Sequence, residues 1–143
     1  MVGEYVAETL LEAGKADANI ILLDYPDLAY SNARVQGFLD TLQQQLPEAR
    51  IAGHYPVGQQ RQASEAQIAS LIESGTSIDA IFSINDSGAY GAIEALNEAG
   101  VDPETVIIAS INAESVALDY IYNQFYLQIS VDPARENGSR AAI

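Results

Sequence analysis

A chain of 143 residues with 48% hydrophobic and 18% charged side chains has the composition of one globular domain, long enough to bury a sizeable core. A formal net charge of −14, with only six lysines and arginines scattered along the chain, argues against a nucleic-acid-binding or anionic-membrane-binding surface. The absence of cysteine removes disulfides and thiolate chemistry, and a single histidine, His54, leaves no metal-ligand spacing, so neither metal nor cofactor is expected.

No apolar run approaches the ~18 residues of a membrane helix. Met1-Val2-Gly3-Glu4 leads straight into an amphipathic pattern, without the basic start and apolar core of a signal peptide. Tyr5, Val6, Leu10 and Ala13 recur at helical spacing, and Gly14 is placed to cap that helix. Residues 19–24 (NIILLD) form an apolar run of strand length. Residues 31–46 predict a helix, with Val35, Phe38, Leu39 and Leu42 at i, i+3, i+4 and i+7 and Pro47 at its exit. A weaker strand follows over 50–55, then a turn at Pro56-Val57-Gly58. Residues 63–73 predict a helix that turns Ile68, Leu71 and Ile72 inward.

Residues 78–84 read as a strand, and Asn85-Asp86-Ser87 ends it and caps the next helix, with capping the favoured role for Asp86 taken singly. That helix carries Ala89, Ala92, Ile93 and Leu96 and stops at Gly100. Residues 105–111 (TVIIASI) are another buried strand, 115–122 a short helix and 126–131 the last strand. A final helix begins after Pro133 and is still running at Ile143.

Strands separated by helices imply a mainly parallel sheet with helices on both faces, a three-layer α/β sandwich. Five strands joined by right-handed crossovers predict the flavodoxin-like order 2-1-3-4-5. The first helix lacks a preceding strand and the last lacks a stop. Residues 1–143 are therefore expected to form a single lobe cut from a larger protein at both ends.

In such a sheet, ligands bind beyond the carboxyl ends of the strands. Asp24-Tyr25-Pro26-Asp27, Asn85-Asp86-Ser87, Asn112-Ala113-Glu114 and Asp132-Pro133 follow the first, third, fourth and fifth strands, and Arg34 reaches the same rim from the first turns of a helix. Arg34, Asn85, Asn112 and Asp132 thus bring a guanidinium, two amides and a carboxylate to one edge. Planar groups of this kind bind vicinal hydroxyls in pairs, which suits a neutral polyhydroxyl ligand. The competing reading is local, since Asn and Asp also follow strands as caps and turn formers.

Arg34-Val35-Gln36-Gly37-Phe38, Ile78-Asp79-Ala80-Ile81-Phe82, Asn85-Asp86, Gly91-Ala92 and Ala95-Leu96 together resemble the C-terminal lobe of type 1 periplasmic binding proteins. That family includes the sugar-binding components of ABC importers and the effector-binding cores of repressors related to the lac repressor. The resemblance covers residues 3–142 and implies a non-catalytic receptor that traps its ligand between two lobes closing on a hinge. By it, Arg34 matches a sugar-binding arginine and Asn85 a sugar-binding asparagine. Asn112 stands where many members carry aspartate, and Asp132 where many carry glutamine or asparagine.

The family's stacking aromatic after the second strand is replaced by Gly58-Gln59-Gln60; Tyr25 or Tyr30 from the neighbouring loop is the candidate substitute, with core or surface packing the favoured role for each taken singly. An importer component implies an N-terminal lobe, an ABC permease partner and an extracytoplasmic location, periplasmic or as a surface lipoprotein, with the signal peptide outside this chain. A lone lobe would bind weakly, and its uncovered face would favour homodimerisation.

The effector-sensing core of a repressor is the alternative within the family. The sequence Ile111-Asn112-Ala113-Glu114 lacks the paired aspartate common in such cores and tilts the reading towards the importer. A phosphoacceptor receiver domain is more distant: Asp24, Asp27 and Asp86 mimic its acidic cluster, but the only lysine, Lys15, precedes the first strand. Dinucleotide chemistry lacks its glycine-rich turn, and a hydrolase triad lacks a nucleophile elbow near His54.

Overall fold

The computed structural model of the protein describes residues 2–57 and 59–132. In chain order they form α1 (Val2–Glu12), β1 (Asn19–Leu23), α2 (Ala29–Gln45), β2 (Arg50–Tyr55), α3 (Arg61–Glu73), β3 (Ala80–Ser83), α4 (Asp86–Glu98), β4 (Ile107–Ile111), α5 (Ser115–Tyr122) and β5 (Leu127–Val131). The five strands make one sheet in the order β2-β1-β3-β4-β5, with every adjacent pair parallel. This is the predicted order and the predicted three-layer arrangement. The helix predicted after Pro133 lies outside the described residues.

The run Ile20-Ile21-Leu22-Leu23 is apolar throughout because both sides of β1 are covered. Ile20 and Leu22 join the core under α1 and α2, together with Phe82, Ala109 and Ile129. Ile21 and Leu23 join the core under α3, α4 and α5, together with Ile81, Ile108 and Leu127. Phe38 of α2 stacks on Phe82 of β3, with ring centroids 4.3 Å apart.

Two glycines explain how the helices seat. Gly14, at φ +74°, closes α1: its own N–H donates to the Leu11 carbonyl, and the Lys15 N–H donates to that of Leu10 at 2.8 Å. Ala13 therefore lies past the helix and is exposed, contrary to the predicted periodicity. On α4, a Cβ at Gly91 would overlap the Arg61 carbonyl oxygen and lie 2.8 Å from the Glu65 nitrogen, so only glycine lets α4 approach α3 this closely. The predicted strand over 105–111 loses its start to a turn of 3-10 helix at Pro103–Thr105, where the Asp102 carboxylate accepts the Glu104 N–H at 2.9 Å.

Candidate functional site

The carboxyl ends of the strands carry Asp24, Asn85, Asn112 and Asp132, and α2 brings Arg34 above them. Arg34 Nη1 donates to the carbonyl of Ile84 at 2.7 Å, the residue immediately before Asn85. Its guanidinium lies 4.6 Å from the centroid of the Tyr30 ring. Burial pulls its pKa below the ordinary arginine value, and the neighbouring Tyr30 opposes that shift. Val2 of α1, Tyr30 and Arg34 of α2, Phe82, Ile111 and Val131 line a groove of about 500 Å³ between these two helices and the sheet, and Asn85, Asn112 and Asp132 lie outside that lining. A second hollow, of about 310 Å³, lies near Tyr5, Glu104 and Tyr126 and touches none of the rim residues.

Asn85 is the N-cap of α4. Its backbone is extended, and its Oδ1 accepts the Gly88 N–H at 3.3 Å. That bond uses one amide oxygen and leaves the Nδ2 donors outside it. Capping thus belongs to Asn85 and not to Asp86, which corrects the sequence reading. Asp86 is the first helical residue and is wholly buried. Its Oδ1 accepts from the Ser110 hydroxyl at 2.5 Å and the Ser130 hydroxyl at 2.6 Å, and its Oδ2 accepts the Glu114 N–H at 2.8 Å. Burial pushes the Asp86 carboxyl above the usual aspartate range, while these three hydrogen bonds pull it back.

The β4–α5 connection is backbone that glycine would favour, yet it holds none. Asn112 sits at φ +131° and Ala113 at φ +55°. Asn112 N–H donates to the Val131 carbonyl at 2.8 Å, and Ala113 N–H donates to Ser130 Oγ at 2.9 Å. Glu114 Oε2 accepts the Tyr90 hydroxyl at 2.7 Å. Desolvation and this carboxylate hold the Tyr90 hydroxyl well above its usual pKa. Asn112 stays exposed on this framework. Asp132 is half-buried beside it, one residue beyond the Ile111–Val131 pairing.

On the β1–β2 side, Asp24 N–H continues the ladder to the Tyr55 carbonyl at 2.9 Å, and the Asp24 carboxylate meets His54 Nε2 at 2.6 Å. Tyr25 packs against the core under α1 and α2 and does not line the groove. Tyr30 does line it, and Gln59 Nε2 donates to the Tyr30 hydroxyl. Of the residues singled out from sequence, Arg34 bonds the residue that precedes Asn85, and Asn112 and Asp132 each follow the last paired residues of β4 and β5. Sequence reasoning missed Asp86 as a buried anchor and His54 as the partner of Asp24. One signal was available for the first: Ser110 and Ser130 are hydroxyls inside buried apolar strands, and each needs a partner.

An open parallel α/β sheet in this order, with a cation, amides and carboxylates gathered at its carboxyl edge, is the architecture of a small-molecule-binding domain. The chain belongs to the periplasmic binding protein domain family, whose profile matches residues 1–142. Its fold is similar to that of a Caulobacter myo-inositol-binding protein bound to myo-inositol, at 25% identity and TM-score 0.79 over 90% of this chain and 44% of that one. It is also similar to an ABC transporter periplasmic solute-binding protein from Actinobacillus succinogenes with bound D-allose, at 21% identity and TM-score 0.78 over 94% and 47% of the two chains. A third relative is an arabinose-binding protein from Geobacillus stearothermophilus, at 19% identity and TM-score 0.75 over 90% and 43%. The chain spans less than half the length of each of these proteins. No curated protein matches it.

Proposed function

We propose that this chain is the C-terminal lobe of a two-lobed receptor that binds a small polyhydroxyl ligand, a sugar or a cyclitol, and hands it to an ABC permease outside the cytoplasm. The observation that carries this reading is the meeting of Arg34 with the start of α4. The guanidinium is fixed on the carbonyl of Ile84, the residue before Asn85, and lies over the Tyr30 ring. Fixed donors next to an aromatic face match a sugar ring, which offers hydroxyls at its edge and C–H groups on its faces. Asn112 and Asp132 add an acceptor-rich pair on the far side of the rim, which suits hydroxyl donors and disfavours an anionic ligand.

Support also comes from the relatives, whose descriptions name myo-inositol, D-allose and arabinose. A second lobe would supply the remaining contacts, and the chain alone would bind weakly. The test is a thermal-shift titration of the full-length protein containing this chain with myo-inositol, D-allose and arabinose. A ligand at a hundredfold excess over Kd raises stability by ~2.7 kcal/mol. A shift with one of the three that disappears in Arg34→Ala and Asn85→Ala supports the reading. No shift with any of them moves the ligand outside this class.

A further inference from the structure

The β4–α5 connection carries backbone strain and a buried charge at one place, and the two explain each other. Asn112 and Ala113 are both at positive φ, and Ala113 has no side-chain hydrogen-bonding group to favour that conformation. Strained backbone of this kind persists only where its surroundings over-determine it, and it gathers at sites that must hold a geometry. The surroundings here converge on one group. Ala113 N–H donates to Ser130 Oγ, whose own hydrogen goes to Asp86 Oδ1, and the next N–H along the chain, that of Glu114, donates to Asp86 Oδ2.

Ser110 fills the remaining approach to Oδ1. Every bond to the carboxylate is therefore an accepted one, and the order Ala113 N–H to Ser130 O–H to Asp86 fixes which way the serine hydrogen points. Asp86 also follows Asn85 directly, so one buried group ties the loop of Asn112 to the helix start of Asn85.

We propose that Asp86 is a positioning residue for the ligand site: it holds the strained Asn112–Ala113 turn against the start of α4 and so fixes the direction in which the Asn112 amide meets ligand. The loop-holding half of this proposal stands without any ligand, while the ligand half rests on the receptor reading above. The two therefore need separate measurements.

Amide hydrogen exchange of this chain tests the first. Asp86→Asn replaces one acceptor oxygen by a donor, so Ala113 and Glu114 should exchange at least tenfold faster while Ile21, Leu22 and Phe82 change by less than twofold. Ser64→Ala, which removes an equally buried hydroxyl bonded to the Gly88 carbonyl at 2.6 Å, should leave Ala113 and Glu114 unchanged relative to the core. Should Asp86→Asn fail to fold, Ser130→Ala carries the Ala113 half of the test, because it removes the link between the Ala113 N–H and the carboxylate, while Glu114, still bonded to Asp86, should change less. Unchanged exchange at the two loop amides, or equal acceleration across the sheet, overturns the proposal.

Calorimetric titration of the full-length protein with myo-inositol and D-allose tests the second. Asp86→Asn and Asn112→Ala should each weaken binding about tenfold, and the double variant should bind no more weakly than Asn112→Ala alone, because the first acts through the second. Additive losses overturn it. If neither compound binds the unsubstituted protein, the receptor reading fails for these ligands and the exchange result alone decides the role of Asp86.

Discussion

On the β3–β5 side of the rim, the polar groups are tied to the fold by buried bonds; on the β1–β2 side they are tied by bonds with one partner open to water. Asp86, Ser110 and Ser130 are fully enclosed and meet one another inside the protein. Across the sheet, the His54 side chain is 47% exposed beside a nearly buried Asp24, and the Tyr30 ring is held by Arg34 and Gln59 at the surface. A buried polar bond is costly to break, because the partners left behind are cut off from water. An exposed one exchanges easily with water. The comparison therefore separates a preformed half of the candidate site, carrying Asn85, Asn112 and the Arg34 guanidinium held on the Ile84 carbonyl, from an adaptable half carrying His54 and Tyr30.

The largest effect expected from breaking the rigid half is that of Asp86→Ala. It strands two hydroxyls and an N–H that now share one carboxylate. Offset by release of a desolvated charge, the loss should be ~3 kcal/mol, or ~10 °C in Tm for a chain of this size, read by calorimetry. Gly91→Ala comes next. It forces α4, and with it Asn85 and Asp86, away from α3, at a cost of ~2 kcal/mol in denaturant unfolding. His54→Ala, in the adaptable half, should cost less than ~1 kcal/mol, because the imidazole is 47% exposed and water can take its place at Asp24. Equal losses for Asp86→Ala and His54→Ala would erase the distinction between the two halves.

The fold was largely legible because β1 is an apolar run from Ile20 to Leu23, β4 is apolar but for Ser110, and the helices between the strands keep a 3.6-residue period. Val35, Phe38 and Leu42 of α2 are buried as that period requires. Element ends were less legible, since turns such as the one closed by Asp102 are set by single side chains. The site divides the same way. Asn85 could be placed at the rim from its position after a strand, and Arg34 from its position in the early turns of α2. The role of Asp86 could not, because its partners lie 24 and 44 residues away and only the sheet brings them together. The left-handed Ala113 had no sequence signal at all, since alanine marks no turn.

The smallest effect, and the one that sharpens the comparison most, is the pH dependence of Asp86. Its pKa is raised in the folded protein, chiefly by burial, so the native state takes up a proton before the unfolded chain does. The stability contributed by this group is then fully present below the ordinary aspartate value of 3.8 and is lost as pH rises through the raised one. The Glu94 carboxyl has the opposite sign: held low by the Arg61 hydrogen bond, it contributes stability that is lost as pH falls. Subtracting the unfolding free energy of Asp86→Asn from that of the unsubstituted protein at each pH removes Glu94 and leaves Asp86.

That difference should fall as pH rises above 3.8, in urea unfolding followed by circular dichroism. Over the same range, amide protection at Glu114 should rise, because only the ionised carboxylate accepts from all three donors. Global stability and local order would then move in opposite directions around one buried group. A difference that stays flat or rises with pH would mean that the three accepted hydrogen bonds outweigh burial in setting the Asp86 pKa, and the contrast between the two halves would then rest on Glu114 protection alone.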